Sequence, residues 1–253
     1  MLKGDTDRLR DELQKATVQG FEPPTPSESG SPSFGLEEAV EFAQNREPRC
    51  PCVLLLDTSG SMHGEKIDAL NQGLRAFRDD LLRDPVASKR VEIAIVAFDN
   101  EVRVVQDFVT ADRFEPPTLT ARGITRMGAA IHTALDMVQA RKDLYNEVGA
   151  TYYQPWVFMI TDGDPQGEVF TFVDDAGRRA RTEENKNRLV FYTVAVEGAD
   201  VSRLMRMGLR KPIRLQGLKF EEMFIWLSRS MHAVAGAKAG GKLSLPNLRW
   251  AAR

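Results

Sequence analysis

Five oxygen-bearing side chains stand out by type and spacing. Asp57, Ser59 and Ser61 fall in Asp57-Thr58-Ser59-Gly60-Ser61-Met62, at two-residue steps in a turn that Gly60 loosens. Asp162 falls in Thr161-Asp162-Gly163-Asp164, and Thr125 in the Gly123-Ile124-Thr125-Arg126 stretch between them. Two carboxylates, three hydroxyls and water make the oxygen-rich set that a hard divalent ion prefers, about six ligands in all. Mg²⁺ is the expected ion, with Mn²⁺ as a possible substitute. Most of these ligands are neutral, so the ion would keep an attraction for an outside carboxylate. A protein partner is therefore expected to supply an Asp or Glu directly to the metal.

Such a set works only if separate segments bring it together. CPCVLLLD (50–57), RVEIAIVAF (90–98), PWVFMI (155–160) and RLVFYTVAV (188–196) are apolar on both alternating faces, the mark of central parallel strands covered by helices. Helical stripes separate them: Ile67, Leu70, Leu74, Phe77 and Leu81; Ile131, Leu135 and Val138; Val169, Phe172, Val173, Ala176 and Ala180; Phe220, Phe224, Leu227, Met231 and Val234. Asp200 is expected to cap a short helix to Met207 that stops at Gly208. VRVVQDF (102–108) follows Phe98 too closely for a crossover helix, so an antiparallel edge strand is expected, and IRL (213–215) is a plausible last strand. The expected fold is a three-layer α/β/α sandwich with a Rossmann-like, mostly parallel sheet and one antiparallel edge. Ligands of such sheets bind beyond the carboxyl ends of the strands, where Asp57 and Asp162 fall.

These motifs resemble the von Willebrand factor type A family and its metal-ion-dependent adhesion site, Asp-x-Ser-x-Ser, then Thr, then Asp. By position, Asp57, Ser59 and Ser61 match the first part, Thr125 the second and Asp162 the third. The resemblance implies that the serines and threonine contact the metal, and that the aspartates act directly or through water. RCPCVLLLDTSGSM, LTARGITRMGAAI, YYQPWVFMITDG, VAVEGAD and RLQGLKFEEMFIWLSRSM further resemble the bacterial TerY-like and YegL-like stand-alone group, associated with tellurite resistance and related stress systems. Arg126 stands where that group commonly has proline. It could guide an acidic partner or compete with the cation. The zinc-binding tail of some TerY-like relatives is not expected, since no cysteine lies beyond Cys52.

The chain divides into an N-terminal arm and linker (1–35), the type A domain (36–240) and a C-terminal tail (241–253). A short helix with Leu9, Leu13 and Ala16 on one side is expected over 4–19. Residues 22–33 hold four prolines and four serines in twelve positions, a linker composition. Gly35–Gln44 is expected as a brief helix. Trp250 either packs back on the domain or serves as a docking tail.

Composition limits the function classes. Among 253 residues, 34 Lys and Arg oppose 36 Asp and Glu for a net charge of −2, whereas a phosphate-binding protein is normally basic. Nucleic acid is not an expected partner, and the Arg178-Arg179-Arg181 cluster reads as helix surface. No apolar run reaches the length of a membrane span and the amino-terminal stretch has no apolar signal region, so no membrane partner is expected. Cys50 and Cys52 are too close to staple a fold, and a cytoplasmic location is the default. They read as a buried strand start.

Catalysis is not expected. An aspartic protease needs a second Asp-Thr-Ser-Gly loop in a β-rich fold. A haloacid-dehalogenase-like phosphatase needs an acid where Ser59 stands, and a lysine that is not obvious. A serine hydrolase needs Gly-x-Ser-x-Gly, and no P-loop occurs. His63 reads as surface loop, and His132 and His232 as packing or surface residues. Asp99 reads as a β-turn residue with Asn100, and Asp164 and Glu168 as solvated rim acids. The leading expectation is a non-catalytic protein-binding module working through a Mg²⁺-occupied site. The alternatives are a Mg²⁺-dependent hydrolase or phosphatase and a metal-independent scaffold. The oligomeric state is not legible.

Overall fold

The structure is a computed structural model that describes residues 41–206, 210–237 and 245–252. The helix expected over 4–19, the linker over 22–33 and the stop at Gly208 lie outside the described residues. Within the expected helix 35–44, residues 41–44 are helical.

The described chain runs β1 (Cys50–Asp57), α1 (Glu65–Leu81), α2 (Ala87–Arg90), β2 (Val91–Phe98), β3 (Val102–Thr110), α3 (Met127–Val148), β4 (Trp156–Thr161), α4 (Phe170–Asn185), β5 (Val190–Ala195), α5 (Val201–Arg206), β6 (Ile213–Arg214) and α6 (Phe220–Gly236). The sheet order is β3-β2-β1-β4-β5-β6. All pairs are parallel except β2 with β3. This is the expected sheet with its antiparallel edge.

β1 shows why these strands are apolar throughout. Side chains alternate across a strand. Cys50, Cys52, Leu54 and Leu56 enter one core with Leu70, Leu74 and Phe77 of α1 and Phe224 and Leu227 of α6. Val53 and Leu55 enter the other with Ile131 and Leu135 of α3 and Val173 and Ala176 of α4. α1 and α6 pack closely because Gly73 has no side chain: a Cβ there would fall 2.5 Å from the Phe224 ring.

The last described residues return to the sheet. Gln216 N donates to Trp250 O at 2.9 Å, Ala252 N donates to Arg214 O at 2.8 Å, and Leu215 bridges Ala251 antiparallel. Trp250 is 1% exposed and meets the Trp226 ring edge-on at 5.6 Å. Of the two readings of this residue, packing on the domain is the one observed.

At the amino ends of the strands, a buried polar group that the sequence did not signal holds the entry of the chain. Glu92 accepts two hydrogen bonds from Arg141, at 2.9 and 2.8 Å, and one from Tyr145, and lies 3.2 Å from Arg49. Phe42 covers both guanidinium groups. A buried carboxylate needs such complete pairing.

No helix among the described residues is long and apolar enough to cross a membrane. Cys50 and Cys52 are free and buried, as their strand position implied.

Candidate functional site

β1 pairs with β2 on one side and with β4 on the other, so the winding reverses between β1 and β4. A crevice beyond their carboxyl ends follows from that reversal. Asp57 ends β1, and Asp162 directly follows β4.

The five expected side chains meet there. Ser59 N donates to Asp57 Oδ1 at 2.8 Å, fixing the turn. Ser59 Oγ and Ser61 Oγ lie 3.1 Å apart, and Ser61 Oγ donates to Asp162 Oδ1 at 2.6 Å. A Cβ on Gly163 would stand 3.0 Å from Thr125 Oγ1, 3.6 Å from Asp57 Oδ2 and 3.7 Å from Ser61 Oγ. A side chain there would crowd the point where the three segments meet.

Several partners of this cluster were not read from the sequence. Thr161 Oγ1 donates to Asp57 Oδ2 at 2.6 Å. Lys66 Nζ forms an ion pair with Asp162 Oδ2, and donates to Glu197 O at 2.9 Å and Ser61 O at 3.3 Å. The sequence makes no lysine near the carboxylates obvious. Lys66 is it, although Ser59 still stands where phosphatase chemistry would need an acid. The signal was its place in the first turn of α1, directly after the serine loop.

Asp99 is more than a turn residue. It is buried, receives Arg103 in a two-pronged pair at 3.0 and 2.7 Å, and accepts from Thr58 Oγ1 at 3.1 Å. Its backbone oxygen accepts Arg126 N at 3.2 Å, and Asn100 Oδ1 accepts Ile124 N at 3.0 Å. Asp99 and Asn100 thereby tie the Thr125 loop to the serine loop. Gly123, at φ +70° against the Asn100 side chain, makes that approach possible. Glu168 is a helix cap and not a solvated acid: it accepts Gly128 N at 2.7 Å and Ala129 N at 2.9 Å at the start of α3. Asp164 pairs with Arg203 at 3.2 Å. His63 is exposed.

Burial pushes the Asp57 carboxyl up to about 6, with the Ser59 and Thr161 hydrogen bonds opposing and the nearby Asp162 adding to the rise. Burial would also raise Asp99, but the Arg103 pair and the Glu101 N–H hold it below the usual carboxylate range.

The expected metal centre is overturned. Among the described residues, no three His, Cys, Asp or Glu side chains come together as a group that could hold a metal ion. The converged set contains two carboxylates. One already has the Lys66 ammonium, and the other has both oxygens committed to internal donors and a raised affinity for a proton. The remaining donors are neutral hydroxyls. The Mg²⁺-occupied adhesion site, Mn²⁺ as its substitute, and a partner Asp or Glu ligating that metal are all withdrawn, and with them the Mg²⁺-dependent hydrolase.

The apolar stripe of α4 also differs from expectation. Val173, Ala176 and Ala180 are buried, but Val169 is 70%, Phe170 67% and Phe172 41% exposed. They stand at the rim, where α4 begins and has not yet reached the sheet.

Residues 52–165 match the profile of the von Willebrand factor type A domain. Among solved structures, similar chains include the pilus adhesin SpaC from Lactobacillus rhamnosus GG, at TM-score 0.57 and 11% identity over 76% of this chain and 31% of that one. Proximal thread matrix protein 1 from the mussel byssus gives 0.52 and 11% over 74% and 49%. The PilB minor pilin from Streptococcus sanguinis gives 0.50 and 12% over 72% and 61%. At these identities the likeness is one of fold, and this chain spans between about a third and three-fifths of the length of those proteins. No curated protein sequence matches significantly. The profile match over residues 52–165, the sheet order and the convergence of the serine loop with Thr125 and Asp162 are together consistent with a fold of the von Willebrand factor type A kind.

Proposed function

We propose that the chain is a non-catalytic, metal-independent protein-interaction module that docks partners on the loop rim beyond β1 and β4. One observation carries this reading. The polar groups of the crevice are committed to one another, while beside them Ile124, Val169, Phe170 and Phe172 remain exposed. A catalytic site needs a general base within reach of a nucleophile and free to move its proton. Here Asp57 and Asp162 already hold the nearby hydroxyls and Lys66 in fixed pairs. Exposed apolar clusters with polar rims are the usual signature of a protein-binding surface.

Two narrower readings accompany it. Affinity with the TerY-like and YegL-like stand-alone group is supported by the five sequence stretches quoted above. A cytoplasmic setting is supported by Cys50 and Cys52, buried as free thiols two positions apart on one strand.

The test is affinity capture with the full chain in Mg²⁺ and in EDTA, read by mass spectrometry, beside an Ile124→Ser/Phe170→Ser variant. The expected result is one partner set in both buffers, lost with the variant. Partners held only in Mg²⁺ would overturn metal independence, and partners indifferent to the variant would overturn the rim.

A further inference from the structure

Four of the ten large apolar side chains exposed among the described residues lie in one place, Ile124, Val169, Phe170 and Phe172. The 166–172 segment brings them to the same rim. Ile124 packs on Gly167, where a side chain would collide with it, and the Thr125 carbonyl accepts Gln166 N at 2.8 Å. Phe172 lies against the His132 ring at 5.0 Å. Phe170 lies under the Arg203 guanidinium at 4.7 Å, and Arg203 is held in turn by Asp164. The aromatic rings are thus oriented by the chain itself, which lowers the entropy lost on docking.

The charges around this surface bear on what could cover it. Arg126 is exposed at the loop end of the patch, and Asp174 is exposed at its helix end, one turn along α4 from Phe170. Neither has an ion pair among the described residues, whereas Arg178, Arg179 and Arg203 nearby are all paired. A cation at one end, an anion at the other and apolar side chains between make a surface complementary to itself. In an isologous dimer about an axis near Phe170, Arg126 of each copy would face Asp174 of the other.

We propose that the rim patch is a self-association surface whose occupant is a second copy of this chain, docked about a two-fold axis with reciprocal Arg126–Asp174 pairs flanking Phe170. The proposal rests on the reading of the rim as a docking surface and names one partner for it. Only four large exposed apolar side chains make up the patch, so the dimer belongs at the weak end of the interface scale.

Sedimentation equilibrium of the full chain in EDTA, up to about 200 µM, tests it against that scale. The wild type is expected to dimerise reversibly. Phe170→Glu should raise Kd at least about tenfold by placing a charge in the apolar centre. Arg126→Glu alone and Asp174→Arg alone should each raise it several-fold, and the double variant Arg126→Glu/Asp174→Arg should return it close to the wild-type value. All three residues stand on the surface, and circular dichroism checks that the variants fold. A monomeric wild type, a dimer indifferent to Phe170→Glu, or a double variant no better than the singles would overturn the proposal. A monomeric wild type that still captures partners through Ile124 and Phe170 removes the dimer and leaves the docking reading. A dimer that behaves as stated beside capture indifferent to the rim does the reverse.

Discussion

The Lys66 ammonium rests on the Asp162 carboxylate, joining the first turn of α1 to the end of β4 across 96 residues of sequence. Asp162 is buried and Lys66 is a quarter exposed. Lys66 thereby supplies the positive charge that the crevice needs from within the chain. It also links three loops, since its other hydrogen bonds go to the carbonyls of Ser61 and Glu197.

Removing this cation strands a buried carboxylate. Lys66→Met should destabilise the fold by about 1–3 kcal/mol, less than a fully buried pair would lose because water reaches the ammonium. Adding Asp162→Asn should recover part of the loss. Urea unfolding near neutral pH measures both, and a Lys66→Met variant as stable as wild type would show that the pair contributes nothing.

Asp57 sets a pH dependence. Its carboxyl is raised from 3.8 to about 6, so between those values the folded chain keeps a proton that the unfolded chain has released. Stability from this group is therefore full below the lower value and is lost as pH rises through the upper one. Asp57→Asn removes the penalty while keeping an acceptor for Ser59 N. The variant should gain on the wild type as pH rises through that window, by up to about 3 kcal/mol above it. Thermal unfolding of both proteins across the window gives the difference, and a constant offset would contradict the assignment.

Glu168 caps α3 from a distant loop. Glu168→Ala leaves the amides of Gly128 and Ala129 without their acceptor and should cost about 1–2 kcal/mol. Hydrogen exchange at those two amides should accelerate more than exchange at the centre of α3. Uniform acceleration along the helix would instead indicate a global effect.

Trp250 closes the β6 edge by packing. Its indole N–H is buried with no hydrogen-bond partner among the described residues. Trp250→Phe should therefore be mild, within about 1.5 kcal/mol, while Trp250→Ala should cost about 3–5 kcal/mol through the void it leaves against Trp226. Equal losses in the two variants would mean that the N–H, and not the ring, matters.

The sheet was legible because its evidence is local. Alternating burial makes Val53 and Leu55 serve one core and Leu54 and Leu56 the other, and that requirement is written in consecutive residues. The convergence of Asp57, Ser59, Ser61, Thr125 and Asp162 followed from strand ends and motif order. The exposure of Phe172 was not legible: it obeys the helical period, but α4 starts before it reaches the sheet, so the stripe loses its support there. The cap formed by Glu168 is not legible for a related reason, since its carboxylate serves the amide of Gly128, 40 residues earlier.

Sequence alone determined which segments are strands, which are helices and which five oxygen-bearing side chains end up together, because periodicity and spacing act over a few residues. Tertiary structure decided what those side chains do once assembled. It put Lys66 on Asp162, Thr161 on Asp57 and Arg103 on Asp99, and so turned a set of expected metal ligands into an internally paired network. Charge pairing depends on distances of a few ångströms between segments far apart in the chain, and no local pattern encodes them.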